Sequence, residues 1–260
     1  MRFTDMADEL FGSSDTLPAG VRLATAKRGG VTVTRVEIAR EGLARPRGRY
    51  VTLEMPSVSV LDERDTAVIE TCAAELRALL PTEGPVLVLG IGNRRITADA
   101  LGPRTAQKIL VTMGPQHTLP VKGIRPVASI APGVSASTGL TLRQLAGALV
   151  DTVRPAALIC VDSLCSNEGA RLGRSVQFSD TGLYPAQASH AKHLDAAALG
   201  VPVIAAGIPT LMDSDEGADL VVTPRALDSV IAHGSALLAG AINRALQPRL
   251  SVAQLCWLAG

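Results

Sequence analysis

Three aspartates stand where this chain could do chemistry. Val86-Leu87-Val88-Leu89 runs into Gly90-Ile91-Gly92-Asn93 and then Thr97-Ala98-Asp99. The apolar run at residues 157–161 leads directly into Asp162, and Val176-Gln177-Phe178 leads into Ser179-Asp180-Thr181-Gly182. A carboxylate that ends an apolar strand is costly unless it is paired or used. Asp162 fits that description best, although an acid capping a neighbouring loop would read alike. Asp99 also reads as a helix-start acid favoured by the macrodipole, and Asp180 as an Asx turn. If Asp99 and Asp162 face one another, two like charges cannot both ionise easily, so one carboxyl keeps a proton. The helix start favours the anion at Asp99, and the apolar strand end favours the neutral acid at Asp162. An anion that takes a proton from water and an acid that protonates the scissile carbonyl could hydrolyse an amide without a covalent intermediate.

Other chemistries are less well served. Gly90-x-Gly92 lacks the third glycine of a dinucleotide fingerprint, since position 95 is Arg, and no Gly-Lys-Ser/Thr follows as in a P-loop. The segment reads as a tight turn, with Asn93 left-handed or hydrogen-bonding its own backbone. His117, His190, His193 and His233 have no nucleophile at motif spacing. His190 and His193, three apart in a polar stretch, could hold a metal or lie in a solvated loop. Cys72 and Cys160 read as buried small hydrophobes, there is no Cys-x-x-Cys pair, and the thiols suit a reducing compartment. No metal, nucleotide or other cofactor is expected.

The elements that must carry these acids alternate along the chain. Strands are expected at residues 31–36, 50–55, 86–89, 127–130, 157–161, 176–178 and 201–206. Between them, Val68, Cys72, Leu76 and Leu79 repeat at helical spacing after Asp65 or Thr66, with Pro81 behind. Further helices are expected at about residues 99–111, over Leu142–Val153, and from Thr223-Pro224 through Leu227, Ile231, Leu238 and Ile242. Strands that are continuously apolar need cover on both faces, which predicts an α/β fold: a largely parallel sheet sandwiched by helices. In such a sheet, catalytic groups collect at the carboxyl ends of the strands. The organisation expected is a strand-rich extension at residues 1–60 packed on the core, an α/β catalytic domain at 61–250, and a tail at 251–260.

Composition removes other classes. Aromatics are 2% of the 260 residues and the net charge is +1, a poor match to a stacking platform, a DNA surface or an anionic membrane. The amino terminus, Met1-Arg2-Phe3-Thr4-Asp5-Met6-Ala7-Asp8-Glu9, has acids where a targeting peptide would have cations. No apolar stretch is long enough to span a bilayer.

The ordered motifs resemble the bacterial spore germination protease family. Gly90-Ile91-Gly92-Asn93 with Thr97-x-Asp99-Ala100-Leu101-Gly102-Pro103 is similar to its core motif. Gly48-Arg49-Tyr50, Pro132-Gly133-Val134, Val161-Asp162-Ser163-Leu164, Asp180-Thr181-Gly182-Leu183-x-Pro185 and residues 199–210 follow collinearly, and Thr4-Asp5-Met6-Ala7 resembles the family's amino-terminal segment. The resemblance implies an aspartic-type endopeptidase that degrades small acid-soluble DNA-coating proteins when spores germinate. It also implies a homotetramer in the spore-core cytoplasm and a fold related to the hydrogenase-maturation proteases. By the same resemblance Asp99 and Asp162 are the catalytic pair, with Gly92, Asn93, Asp180 and Thr181 binding substrate or supporting them. Two other readings keep the same scaffold: a non-catalytic spore protein that binds with it, and a metal-assisted processing protease. The chain departs from the family where Ala186-Gln187-Ala188-Ser189-His190 replaces a glycine-rich loop. It departs again ahead of Thr4, where only three residues stand, so control by a removable propeptide is not expected.

Overall fold

Period-2 alternation within each apolar run decides how the sheet is buried. The computed structural model describes residues 4–12, 16–61, 65–114, 123–184, 193–213 and 220–259. Helix α1 (Ala7–Phe11) precedes three antiparallel strands, β1 (Val21–Arg28), β2 (Val31–Ile38) and β3 (Gly48–Glu54). Then come α2 (Thr66–Leu79), β4 (Val86–Gly90), α3 (Leu101–Ala106), β5 (Val127–Ile130), α4 (Ser135–Thr138) and α5 (Leu142–Val153). The chain continues through β6 (Ala157–Cys165), β7 (Ser175–Ser179), α6 (Ala196–Leu199), β8 (Val203–Asp213), β9 (Val221–Val222), α7 (Leu227–Leu246) and α8 (Val252–Ala259).

Among the described residues the strands form one sheet in the order β1-β2-β3-β7-β8-β6-β4-β5, with β9 on β8. The α/β class expected from the sequence is the class found, and the sheet is mixed. Strands β5, β4, β6 and β8 are parallel neighbours; β7 joins β8 antiparallel and links the sheet to β3, β2 and β1. Val86, Val88, Ala157, Ile159 and Val161 face α2 and α7, whereas Leu87, Leu89, Leu158 and Cys160 face α5. Both faces are therefore covered, which is why these strands read as unbroken apolar runs. A third cluster joins Ala7 and Phe11 of α1 to Val36, Ile38 and Tyr50.

Several local expectations are corrected. The helix placed at residues 99–111 is a 3-10 turn at Thr97–Asp99 followed by the short α3. Gly102 there is wedged against the β4–β6 seam, where an added Cβ would lie 2.2 Å from Ile91 O and 2.3 Å from Val161 O. Strand β6 does not stop at Val161, because β8 goes on pairing with it as far as Cys165. The last long helix starts at Leu227: Leu227 N–H bonds Pro224 O, so the proline opens a turn instead of the helix. Helix α5 is capped by Thr141, which exchanges hydrogen bonds with Gln144 in a capping box.

Candidate active site

The loop after β4 is built around Asp99. Gly92 has φ +123°, and a Cβ on it would sit 2.1 Å from Asp99 O and 2.9 Å from Asp99 Oδ1, so only glycine fits. The next residue, Asn93, donates its backbone N–H to Asp99 Oδ2 at 2.7 Å. Asn93 itself is not left-handed, since Arg154 is the one non-glycine residue with positive φ among those described. Its side chain instead accepts Arg95 N–H at 3.0 Å, the Asx-type bond that was the alternative. Asp99 lies half-buried in its 3-10 turn, and Ala100 is the N-cap of α3.

Asp162 lies on the adjacent parallel strand. Gly90 pairs with Val161, the last β4–β6 partner, so Asp162 is one residue past the point where β4 ends. Its Oδ1 accepts the Ser163 N–H at 2.8 Å. On the other side it faces Gly207 of β8, where a Cβ would come 2.4 Å from Asp162 O. Asp162 lines a cavity of about 30 Å³ with Asp5, Arg45, Tyr50, Ser179 and Thr181. That is room for a water molecule. Asp99 is not among the described residues lining this cavity. The fold thus places Asp99 on the loop that follows β4 and Asp162 within the adjacent parallel β6, one residue past the level where β4 ends.

Asp180 and Thr181 meet the Gly48-Arg49-Tyr50 strand. Arg49 donates to Asp180 through its backbone N–H and its Nε, both at 2.7 Å. A Cβ on Gly48 would lie 2.3 Å from Thr181 Cγ2, so glycine lets the two segments close. Thr181 Oγ1 donates to Ser179 Oγ at 3.3 Å. Burial pushes the Tyr50 phenol up to about 12, against a hydrogen bond with Thr181 that pulls it down. Asp180 is therefore a brace between β3 and β7, with its carboxylate engaged by Arg49.

A larger cavity, about 1040 Å³, lies between α3, α7 and α8, away from Asp162. Arg94, on the same loop as Asn93, reaches its edge. Size alone does not make it the site, since neither acid lines it. His193 stacks with Tyr184 at a ring-centroid distance of 4.7 Å. His117, His190 and the loop at residues 186–190 lie outside the described residues, as do Met1, Arg2 and Phe3.

Sequence reasoning missed the neighbours of Asp162. Asp5 and Arg45 reach it only through the fold, and Arg45 sits in a Pro/Gly/Arg stretch without periodicity. The one available signal was the Thr4-Asp5-Met6-Ala7 motif.

Comparison with known proteins gives a consistent picture. The family model described as germination protease matches residues 6–216. A germination protease of Clostridium perfringens is 31% identical over 85% of this chain and 86% of its own length. One from Priestia megaterium is 33% identical over 82% of this chain and 60% of its own. One from Caldanaerobacter subterraneus is 36% identical over 75% and 64%. Among solved structures, a nickel–iron hydrogenase maturation protease of Thermococcus kodakarensis aligns with a TM-score of 0.41 and 18% identity, over 65% of this chain and 98% of that one.

Proposed function

This chain belongs to the germination protease family, and we propose that it is an endopeptidase cutting small acid-soluble spore proteins with Asp99 and Asp162 as its acid–base pair. The observation that carries this reading is the placement of two carboxylates where β4 ends, one on the loop that follows it and one on adjacent parallel β6 beside a water-sized cavity.

Asp99 is the base. Its Oδ2 already accepts the Asn93 N–H, which favours the anion, and the glycine at position 92 lets that loop close around it. Asp162 also accepts a backbone N–H, from Ser163, and is the acid because it follows a wholly buried run of β6, where burial disfavours the anion. Water deprotonated by Asp99 attacks the scissile carbonyl while Asp162 donates its proton to the carbonyl oxygen; the C–N bond then breaks as Asp99 passes its proton to the departing amine and a gem-diol hydroxyl returns one to Asp162. Gly92 and Asn93 hold Asp99, and Asp180 with Thr181 fixes the wall opposite Asp162. The substrate class, the homotetramer and the spore-core location follow from the family resemblance; neither nucleic acid nor a membrane enters the scheme.

The test is digestion of a purified small acid-soluble spore protein, with the cut mapped by mass spectrometry. Internal cleavage by the wild type and none by Asp99→Asn or Asp162→Asn supports the reading. Intact substrate after prolonged incubation with folded wild type would sink it in favour of a non-catalytic scaffold.

A further inference from the structure

The wall of the Asp162 cavity is partly made by the amino-terminal segment, which the reaction scheme leaves without a role. Leu158 N–H bonds Pro202 O on the β8 side, and Val161 O accepts Ile91 N–H on the β4 side. Backbone groups of odd-numbered residues near Asp162 therefore face β4, and past Gly90 that edge has no strand partner among the described residues. An orphaned backbone edge must find partners elsewhere. Ser163 N–H uses the Asp162 carboxylate. Cys165 uses Asp5: its N–H donates to Asp5 Oδ2 at 2.8 Å, and its carbonyl accepts Asp5 N–H at 2.8 Å.

Asp5 is held in turn by Arg45, only 9% exposed. One Arg45 guanidinium donates to Thr4 O at 2.6 Å, Asp5 Oδ1 at 3.3 Å and Tyr184 O at 2.9 Å. Gln177 of β7 pins the same segment, accepting Ala7 N–H and donating to Asp5 O, both at 2.8 Å. Asp5, Arg45 and Asp162 line one cavity.

We propose that Asp5 and Arg45 are a positioning pair for Asp162, closing the β6 edge that β4 leaves open and setting the carboxyl's orientation and protonation through their opposed charges. The proposal rests on the role given to Asp162 above. Among the described residues, the titratable groups around that carboxyl are Asp5 from the amino-terminal segment, Arg45 from the β2–β3 loop, Tyr50 from β3, Tyr184 from the stretch after β7, and Cys160 on β6 itself. Asp99 stands on the loop at the same sheet edge. Within the cavity, Asp5 and Arg45 offset one another. Removing Arg45 leaves an anion that disfavours the Asp162 anion, and removing the Asp5 charge leaves a cation that favours it.

The experiment measures kcat and KM across pH for wild type, Asp5→Asn, Arg45→Met, Arg45→Lys and Asp162→Asn, with circular dichroism on each. The alkaline limb reports the acid and should move down in Asp5→Asn and up in Arg45→Met, by roughly half a pH unit or more. In both, kcat should fall about 10-fold or more while KM stays within about twofold. Arg45→Lys keeps the charge without the fork that reaches three oxygens, so kcat falls and the limb stays. If Arg45→Met does not fold, Asp5→Asn and Arg45→Lys decide. An inactive Asp162→Asn beside unshifted Asp5→Asn and Arg45→Met profiles, or limbs moving the same way, would overturn the pair alone. An active Asp162→Asn would overturn the role of Asp162 and the pair with it.

Discussion

Asp99 accepts the Asn93 N–H within its own loop, and Asp162 accepts the N–H of Ser163, its neighbour in β6. Replacement by Asn keeps size and hydrogen bonding and removes only the proton chemistry. Asp99→Asn and Asp162→Asn are each expected to lower kcat by at least about a thousandfold, with unchanged circular dichroism, and to be non-additive when combined. Single-turnover digestion reads this. Asp180 should behave differently. Its carboxylate binds Arg49 on a half-exposed edge, so Asp180→Ala is expected to reduce stability by about 1 kcal/mol while retaining measurable cleavage. Chemical denaturation together with digestion separates the two kinds of residue: a dead but stable Asp180→Ala would move Asp180 into the chemistry.

At the scale of elements, glycine and one half-buried arginine do most of the joining. Gly102 lets α3 approach the β4–β6 seam, and Gly102→Ala must push the helix off Ile91 O and Val161 O. A loss of several kcal/mol is expected there, read as a large drop in Tm. Helix α1 is bound through Arg171, which contacts Asp8 at 2.5 Å, Glu54 at 3.0 Å and Glu168 at 3.0 Å, while Glu9 bonds Ser166. Asp8 is 4% exposed, so Arg171→Met would leave a buried carboxylate without its counter-charge, with Thr52 Oγ1 still donating to Oδ1. About 3 kcal/mol of destabilisation is expected, and loss of α1 docking should appear as faster hydrogen exchange at Ala7 and Met6.

For the whole molecule, pH acts in two separate windows. An acid–base pair gives a bell-shaped kcat/KM profile, since low pH removes the base and high pH removes the acid; a flat profile would rule out the pair. Stability should fail later. Burial raises the thiols of Cys72 to about 12 and Cys165 to about 11, both from 9.0, and pushes Cys160 up as well. The phenol of Tyr50 rises from 10.0 to about 12. Above pH 9 the unfolded chain sheds thiol protons that the folded chain keeps, so the unfolded state binds fewer protons and stability falls as pH rises. Tm should hold steady from pH 7 to near 9 and then decline, more steeply past 10, where Tyr50 joins. A Tm rising across pH 9–11 would contradict the burial of these groups.

The sequence alone determined the class of fold and singled out the acids proposed here, because both are local statements. The run Val86-Leu87-Val88-Leu89 and the run ending at Val161 can be buried on both faces only inside a helix-covered sheet, and an acid following such a run is conspicuous without coordinates. Helices α2 and α5 were legible for the same reason, from their apolar spacing. Tertiary structure decided what depends on partners far along the chain. Whether β6 stops at Val161 or continues is set by β8, and whether β7 runs parallel is set by β3, which enters from the first quarter of the sequence. Three of the residues that share the Asp162 cavity, Asp5, Arg45 and Tyr50, come from over a hundred positions away, at the level where β4 ends and leaves a backbone edge to be satisfied. Apolar periodicity records which face of an element is buried, and carries no record of which distant polar group will complete its hydrogen bonds.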